Sequence, residues 1–137
     1  MVAQCSSRGR TPTGFASRSV LVVDDDDDSL IVIAHVLEQL ACEACFVSDG
    51  YGALLAAQRY QPALILSDIN LPELDGFSLL RQLRADAATQ HIPVVAVTAL
   101  ADSEHLRKII AAGFNDYITK PFLLSTLEGV VSHFVAR

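Results

Sequence analysis

The stretch SVLVVDDDDDSLIVI, residues 19–33, carries a different structural signal on each side of five consecutive aspartates. Before the acids stands a short apolar run, residues 20–23, whose length and β-branched valines are typical of a strand buried on both faces. After them, apolar side chains recur at the spacing of one helix face: Val32, Ile33, Val36, Leu37 and Leu40. A strand that leads through a polar turn into a helix is the repeating unit of α/β domains.

The same alternation continues along the rest of the chain. Short apolar runs predict further strands at residues 44–47, 63–67, 93–97 and 117–118. Amphipathic stretches predict helices at residues 28–40, 50–60, 77–85, 103–112 and 124–135, with Gly113 as a left-handed cap after the fourth. Because strand–helix–strand crossovers are right-handed, the expected fold is a doubly wound five-stranded parallel sheet with helices on both faces.

Length and composition indicate how many domains the chain forms and whether it contains membrane or signal segments. With 137 residues, 51% of them hydrophobic, the chain is long enough for one domain with a sizeable core. Residues 1–18 are rich in Ser, Arg, Thr and Gly without periodicity, so we expect a flexible tail at 1–18 and a folded domain at 19–137. No apolar run is long enough for a bilayer, and the N-terminus lacks a signal-peptide core. A cytoplasmic protein without membrane contact is therefore expected.

Charge and cysteine content exclude several functions. The net charge is −6, and the first 18 residues contain three arginines and no acid, so all 16 acidic side chains lie in the body. An acidic domain of this kind argues against direct nucleic-acid binding.

The CEAC motif at residues 42–45 has no second pair to complete a zinc site, and it lies after a predicted helix rather than at a helix start. We interpret both cysteines as small buried residues. The four histidines show no ligand spacing and are predicted to be structural or surface residues.

Polar side chains with complementary chemistry stand where four of the predicted strands end. They are Asp24 and Asp25 after the first strand, Asp68 after the third, Thr98 after the fourth and Lys120 after the fifth. Ligands of such sheets bind at the carboxyl edge, where these residues are expected to meet. Three converging carboxylates repel one another, and Mg²⁺ relieves that repulsion with ligands of the type it prefers. Since Thr98 and Lys120 add donors for phosphate oxygens, the set favours phosphoryl transfer.

Four motifs carry a family resemblance. VLVVDDD, LILSDINLPELDGFSLL, IPVVAVTAL and YITKPF, taken together, resemble the motif set of the response-regulator receiver domain, in order and spacing, over residues 19–137. The resemblance implies the CheY-like (flavodoxin-like) strand order 2-1-3-4-5. It also implies a signalling phosphoacceptor in a two-component phosphorelay, which catalyses only its own phosphorylation and dephosphorylation.

The resemblance assigns roles around a magnesium ion. Asp68 resembles the phosphoacceptor, which becomes an aspartyl phosphate and is also a metal ligand. Asp25 resembles the direct Mg²⁺ ligand and Asp24 the one acting largely through water, while Asn70 would contribute its backbone carbonyl. Mg²⁺ is the expected cofactor, with Mn²⁺ as an expected substitute.

The remaining roles concern switching. Thr98 resembles the hydroxyl that moves to contact the phosphoryl group, and Tyr117 the aromatic residue whose rotamer follows it. Lys120 resembles the lysine that pairs with a phosphoryl oxygen, and its bond to Pro121 is cis in the family.

Partners follow from the same resemblance. A sensor histidine kinase or a histidine phosphotransfer protein would donate the phosphoryl group. The fourth helix, fifth strand and fifth helix (α4-β5-α5 in the family), including His105, Lys108 and Ile109, would contact a downstream target protein or form a homodimer. Leu30 and Ile31 widen the apolar stripe of the first helix beside the acidic site and offer a docking surface for a partner helix.

The other three aspartates of the run, residues 26–28, are predicted to begin the first helix. Acids there favour the positive end of the helix dipole and accept from free N–H groups. An EF-hand is excluded, since the segment lacks the central Gly and the terminal Glu.

Two other functions remain open at this point. Residues 25–29 loosely fit the DxDx[ST] motif of haloacid-dehalogenase-like phosphatases, although no acidic pair follows Lys120 to complete that site. A receiver-like domain used for phosphorylation-independent binding is the second alternative.

Overall fold

A computed structural model describes residues 4–6 and 18–135 of the chain. The strands are β1 (Gln4–Ser6), β2 (Ser19–Val23), β3 (Glu43–Val47), β4 (Leu64–Asp68), β5 (Val94–Thr98) and β6 (Asp116–Thr119). The helices are α1 (Asp27–Gln39), α2 (Gly50–Tyr60), α3 (Gly76–Ala85), α4 (Ser103–Ala112) and α5 (Leu124–Phe134).

The sheet has the order β1-β3-β2-β4-β5-β6. Strands β2 to β6 are parallel and correspond to the five predicted strands, so the expected order 2-1-3-4-5 is confirmed. Strand β1, which was not predicted, pairs antiparallel with the edge strand β3 through Gln4 and Phe46. Apart from Gln4–Ser6 and Arg18, the predicted tail lies outside the described residues.

The core lies on both faces of the sheet, as a doubly wound fold requires. One apolar layer joins the sheet to α2, α3 and α4 through residues such as Ala53, Leu80 and Ile109. The other joins it to α1 and α5 through residues such as Ile33 and Leu127. Strands β4 and β5 are buried at every position, which explains why they read as continuous apolar runs.

Helix ends agree closely with the sequence pattern. Helices α2 and α4 have the predicted bounds, and Gly113 ends α4 in the left-handed conformation at φ 110°. Its N–H donates to the carbonyl oxygens of Ile109 and Ile110. Within the described residues, no helix has the length and apolar character needed to cross a membrane.

The connection from β4 to α3 passes directly under the end of β4. A Cβ on Gly76 would lie 2.7 Å from the carbonyl oxygen of Asp68 and 2.8 Å from Cα of Ile69. The Gly76 N–H donates to the carbonyl oxygen of Ile69 at 2.8 Å. A residue without a side chain is therefore needed here, so that the loop can support the strand end that carries Asp68.

Candidate functional site

Three carboxylates meet at the carboxyl edge of the sheet. Oxygen atoms of Asp24, Asp25 and Asp68 all lie within 4.8 Å of one another. Pairing of Val23 with Ser67 aligns β2 with β4, and this register brings Asp24 beside Asp68. Asp24 and Asp68 are buried, at 1% and 8% exposure, whereas Asp25 is exposed to solvent.

Each buried carboxylate has one oxygen hydrogen-bonded to the backbone and the other close to the Lys120 ammonium. Oδ1 of Asp24 accepts from the backbone N–H of Asp26, and Oδ1 of Asp68 accepts from that of Asn70, both at 3.0 Å. The Lys120 ammonium lies 3.1 Å from Oδ2 of Asp24 and 3.2 Å from Oδ2 of Asp68. One cation thus bridges two strand ends that are more than forty residues apart in the chain.

The position of Lys120 comes from the strand before it. Its backbone N–H donates to the carbonyl oxygen of Thr98 at 2.8 Å, which continues the pairing of β5 with β6. The following peptide bond, Lys120–Pro121, is cis.

Burial and charge act in opposite directions on the titration of this site. Burial raises the pKa of Asp24, and the neighbouring Asp68 charge adds to that effect, against the Asp26 N–H and Lys120. Burial works to lower the pKa of Lys120, but the ion pairs with Asp24 and Asp68 outweigh it, so this pKa is raised. The site therefore retains an unfavourable buried carboxylate even with the lysine in place.

The donor set fits a hard divalent cation. All three clustered side chains offer carboxylate oxygens, the ligands that Mg²⁺ prefers. The buried Oδ2 of Asp24 accepts no well-aligned hydrogen bond from the described residues, although Lys120 is near. The residue expected to add a backbone carbonyl, Asn70, follows two positions after Asp68 with its side chain exposed. A cation with two positive charges would relieve the repulsion that one ammonium leaves.

Thr98 ends β5 and is buried, with 2% of its surface exposed. Its Oγ1 accepts from the backbone N–H of Leu100 at 3.0 Å and lies 3.2 Å from Nε2 of His105 in α4. Tyr117, in β6, is partly buried against the core layer that contains α4. The hydroxyl predicted to respond to a phosphoryl group is thus engaged with the start of α4.

The acidic run divides into two parts. Asp26 is the N-cap residue of α1, and Asp27 and Asp28 lie in its first turn, all three exposed. A hydrogen bond from the Ser29 hydroxyl at 2.8 Å lowers the pKa of Asp26. Its carboxylate also lies 4.0 Å from the Lys120 ammonium, so Asp26 borders the site from the helix side.

Sequence reasoning missed two contributors to the site. The close approach of Gly76 to the backbone of Asp68 and Ile69 was not among the sequence-based expectations. His105 was predicted to be a structural or surface residue, yet its ring contacts Thr98. Neither contact follows from spacing along the chain, because each depends on how a helix packs against a strand end.

The chain matches known proteins along most of its length. The model of the response regulator receiver domain family matches residues 20–132. The sensor protein GacS of Pseudomonas syringae is 33% identical over 88% of this chain, and the response regulator PleD of Caulobacter vibrioides is 37% identical over 77%. The chain spans only 14% of GacS and 23% of PleD, so it corresponds to one part of those proteins.

Solved structures agree with the sequence relatives. The receiver domain of a sensor histidine kinase from Pseudomonas aeruginosa PAO1, described with a magnesium ion coordinated in its active site cleft, is 33% identical. It superposes with a TM-score of 0.79 over 86% of this chain and 97% of that one. The chemotaxis response regulator CheY4 of Vibrio cholerae is 28% identical, with a TM-score of 0.79 over 89% of this chain and 99% of that one. Fold, motif order and family match together show that this chain belongs to the response regulator receiver domain family.

Proposed function

We propose that Asp68 accepts a phosphoryl group with the help of Mg²⁺. The observation that carries this proposal is the cluster of three carboxylates with Lys120 bridging Asp24 and Asp68. Asp68 ends a strand that is buried at every position, which places its carboxylate at the carboxyl edge of the sheet. Positioning and charge neutralisation are the main requirements of phosphoryl transfer.

The residues of the chain have distinct tasks in this reaction. An oxygen of Asp68 forms a bond to phosphorus as the phosphorus–nitrogen bond of a phosphohistidine breaks, and the electron pair of that bond returns to the imidazole nitrogen. The Asn70 N–H orients the Asp68 carboxylate. Lys120, already beside Asp68, pairs with a phosphoryl oxygen.

Magnesium would be held by Asp24, Asp25 and Asp68, with the Asn70 carbonyl as a further ligand. When bound, it neutralises charge on the carboxylates and on the transferred group. The Mg²⁺ in the cleft of the related Pseudomonas aeruginosa receiver domain supports this assignment. Mn²⁺ prefers similar oxygen ligands and is expected to substitute.

The same proposal includes partners. Sensor kinases among the relatives support a histidine kinase or a histidine phosphotransfer protein as donor. We expect this exchange to take place in the cytoplasm. The face formed by α4, β6 and α5 would bind a downstream target or a second copy of the chain. Arg107 and Ile110 are exposed there and line the same groove as the partly buried Tyr117. Ile109, which was predicted to lie on this face, is instead buried in the core.

Incubation with acetyl phosphate and Mg²⁺ tests the proposal. The intact protein is expected to gain the mass of one phosphoryl group, and Asp68→Asn is expected to abolish the gain. Asp49→Asn is the matched control, because Asp49 caps α2 through the Gly52 N–H and Asn caps helices equally well.

Other outcomes identify the rival functions. A mass gain that persists in Asp68→Asn would contradict the assignment of the phosphoacceptor. Release of many phosphates per chain by Asp68→Asn would favour the phosphatase, and no gain in the unmodified protein would favour phosphorylation-independent binding.

A further inference from the structure

The hydroxyl of Thr98 is engaged with the loop that follows β5 and with α4. Oγ1 accepts from the Leu100 N–H at 3.0 Å, and it lies 3.2 Å from the His105 ring nitrogen and 3.4 Å from the Leu100 carbonyl oxygen. A hydroxyl has one proton and two lone pairs. If Nε2 of His105 carries a proton, the ring donates to Thr98; if it does not, Thr98 donates to the ring. The contact can therefore form with either ring tautomer.

His105 is itself held in place by the start of α4. Its backbone N–H donates to the Asp102 carboxylate at 2.8 Å, and Asp102 is the N-cap residue of the helix. The side chain of His105 is only partly exposed. The contact with Thr98 thus ties the end of β5 to the first turn of α4, across the loop at residues 99–102.

A phosphoryl group on Asp68 would compete for this hydroxyl. Strand β5 lies next to β4, with Val97 paired to Asp68, so Thr98 is on the strand end adjacent to the phosphoacceptor. The new group would bring negatively charged oxygen acceptors to that edge, and hydrogen bonds to charged acceptors are stronger than neutral ones. A rotation of the Thr98 side chain that carries Oγ1 to these oxygens would move it away from Nε2 of His105 and break that contact.

We propose that His105 is a positioning residue that holds Thr98 in the unphosphorylated arrangement and thereby sets how easily the domain switches. The inference rests on the proposed function of Asp68. In this role His105 acts through its ring contact with Thr98, and not through contacts between the exposed surface of α4 and a partner protein.

Removal of the ring should make the activated arrangement easier to reach. Beryllofluoride, which imitates a phosphoryl group without a covalent step, serves as the probe in the presence of Mg²⁺. A ligand binds more tightly when the state it selects is already more populated. His105→Ala is therefore expected to bind beryllofluoride about fivefold more tightly, the factor given by losing one net hydrogen bond of typical strength.

Three further variants separate positioning from general effects on the helix. His105→Gln keeps a polar side-chain atom within reach of Thr98 and should restore an affinity near that of the unmodified protein. Glu104→Ala changes an exposed neighbour in the same helical turn and should leave the affinity unchanged. In a Thr98→Ala background, His105→Ala should have no further effect, because the partner of the ring is missing.

Nuclear magnetic resonance supplies a readout that a purely structural role would not move. The Leu100 amide reports on Thr98 directly, since it donates to Oγ1. In His105→Ala without beryllofluoride, this resonance should shift toward its position in the activated protein.

The outcomes distinguish the two levels of the proposal. Unchanged or weaker beryllofluoride binding by His105→Ala, while the unmodified protein binds and Asp68→Asn does not, overturns the role of His105 alone. Failure of the unmodified protein to bind beryllofluoride overturns the proposed function of Asp68 and this inference with it.

Discussion

Asp24 and Asp26 lie two residues apart in the same run of aspartates, yet their environments are opposite. Asp24 ends β2, is 1% exposed, and has its pKa raised by burial and by Asp68. Asp26 occupies the N-cap position of α1 without a side-chain cap hydrogen bond, is exposed, and has its pKa lowered by the Ser29 hydroxyl. One carboxylate is thus placed where its charge is costly, and the other where its charge is favourable.

This contrast indicates which carboxylates lower the stability of the folded protein and are retained for ligand binding. A buried, poorly compensated carboxylate opposes folding, so its retention at a strand end indicates a ligand that stabilises it. The exposed acids at residues 26–28 need no ligand, because solvent and the helix start already accommodate their charge. Three measurements test the difference between the two environments: the stability cost of changing Gly76 below Asp68, the affinity for Mg²⁺, and the pH dependence of the free energy of unfolding.

The largest effect is expected at the glycine beneath Asp68. Gly76→Ala places a methyl group against backbone atoms that cannot move aside, so it should lower the free energy of unfolding by about 3 kcal/mol. Gly129→Ala, in exposed space on α5, should be neutral or stabilise by up to about 1 kcal/mol. Urea unfolding measures both. Equal effects at the two positions would mean that the strand end carrying Asp68 is not closely supported.

A smaller effect is expected for magnesium binding. Asp24→Asn should weaken Mg²⁺ binding at least tenfold, the loss that is common even for residues acting through an outer shell. Asp28→Asn, in the exposed part of the run, should change the affinity less than about twofold, because charges that far into solvent are screened. Isothermal titration calorimetry compares the two variants.

Thermal unfolding provides an independent check on the metal. Binding to the folded state alone raises stability, so millimolar Mg²⁺ should raise the melting temperature of the unmodified protein and of Asp28→Asn more than that of Asp24→Asn. A melting temperature that is indifferent to magnesium in all three would contradict a metal site in this cluster.

The smallest effect is expected in how the free energy of unfolding changes with pH in the absence of metal. A raised folded pKa at Asp24 means that the folded state binds more protons, so the stability Asp24 contributes falls as the pH rises from about 3.8 through the raised value. A lowered pKa at Asp26 gives the reverse: its contribution is present above about 3.8 and is lost as the pH falls through the lowered value.

Denaturant unfolding at several pH values, with the Asn variant of each residue as reference, measures the two contributions. The stability of the unmodified protein relative to Asp24→Asn should fall with rising pH. Relative to Asp26→Asn it should rise with pH below about 3.8. If both stability differences changed with pH in the same direction, the two carboxylates would not have opposite environments.

Much of the fold could be predicted because its signals are local. Apolar runs of strand length, helix faces and the cap at Gly113 are each encoded within a few neighbouring residues, and α2 and α4 have the bounds expected from the pattern. The acids could also be placed at one edge, since the carboxyl ends of parallel strands meet there. Strand β1 carries no such local pattern, and its pairing with β3 was not predicted.

Helix α5 begins where the sequence pattern predicts, but without a side-chain cap. The predicted start at residue 124 is confirmed, with Leu123 in the N-cap position, but no side chain caps the helix although residues 125–128 have capping-box spacing. Packing of Leu127 and Val131 into the core decides where this helix lies, and it outweighs the modest stabilisation of a cap.

Residue identities and their order along the chain were therefore sufficient for the α/β architecture and for the meeting of Asp24, Asp25 and Asp68. They were not sufficient for the burial of Asp24 beside an exposed Asp25, for the bridge from Lys120, or for the contacts of Gly76 and His105. These features join residues that are distant in the chain or belong to different elements. Their distances depend on strand register and helix packing, which arise from the whole core at once and leave no pattern in any one segment.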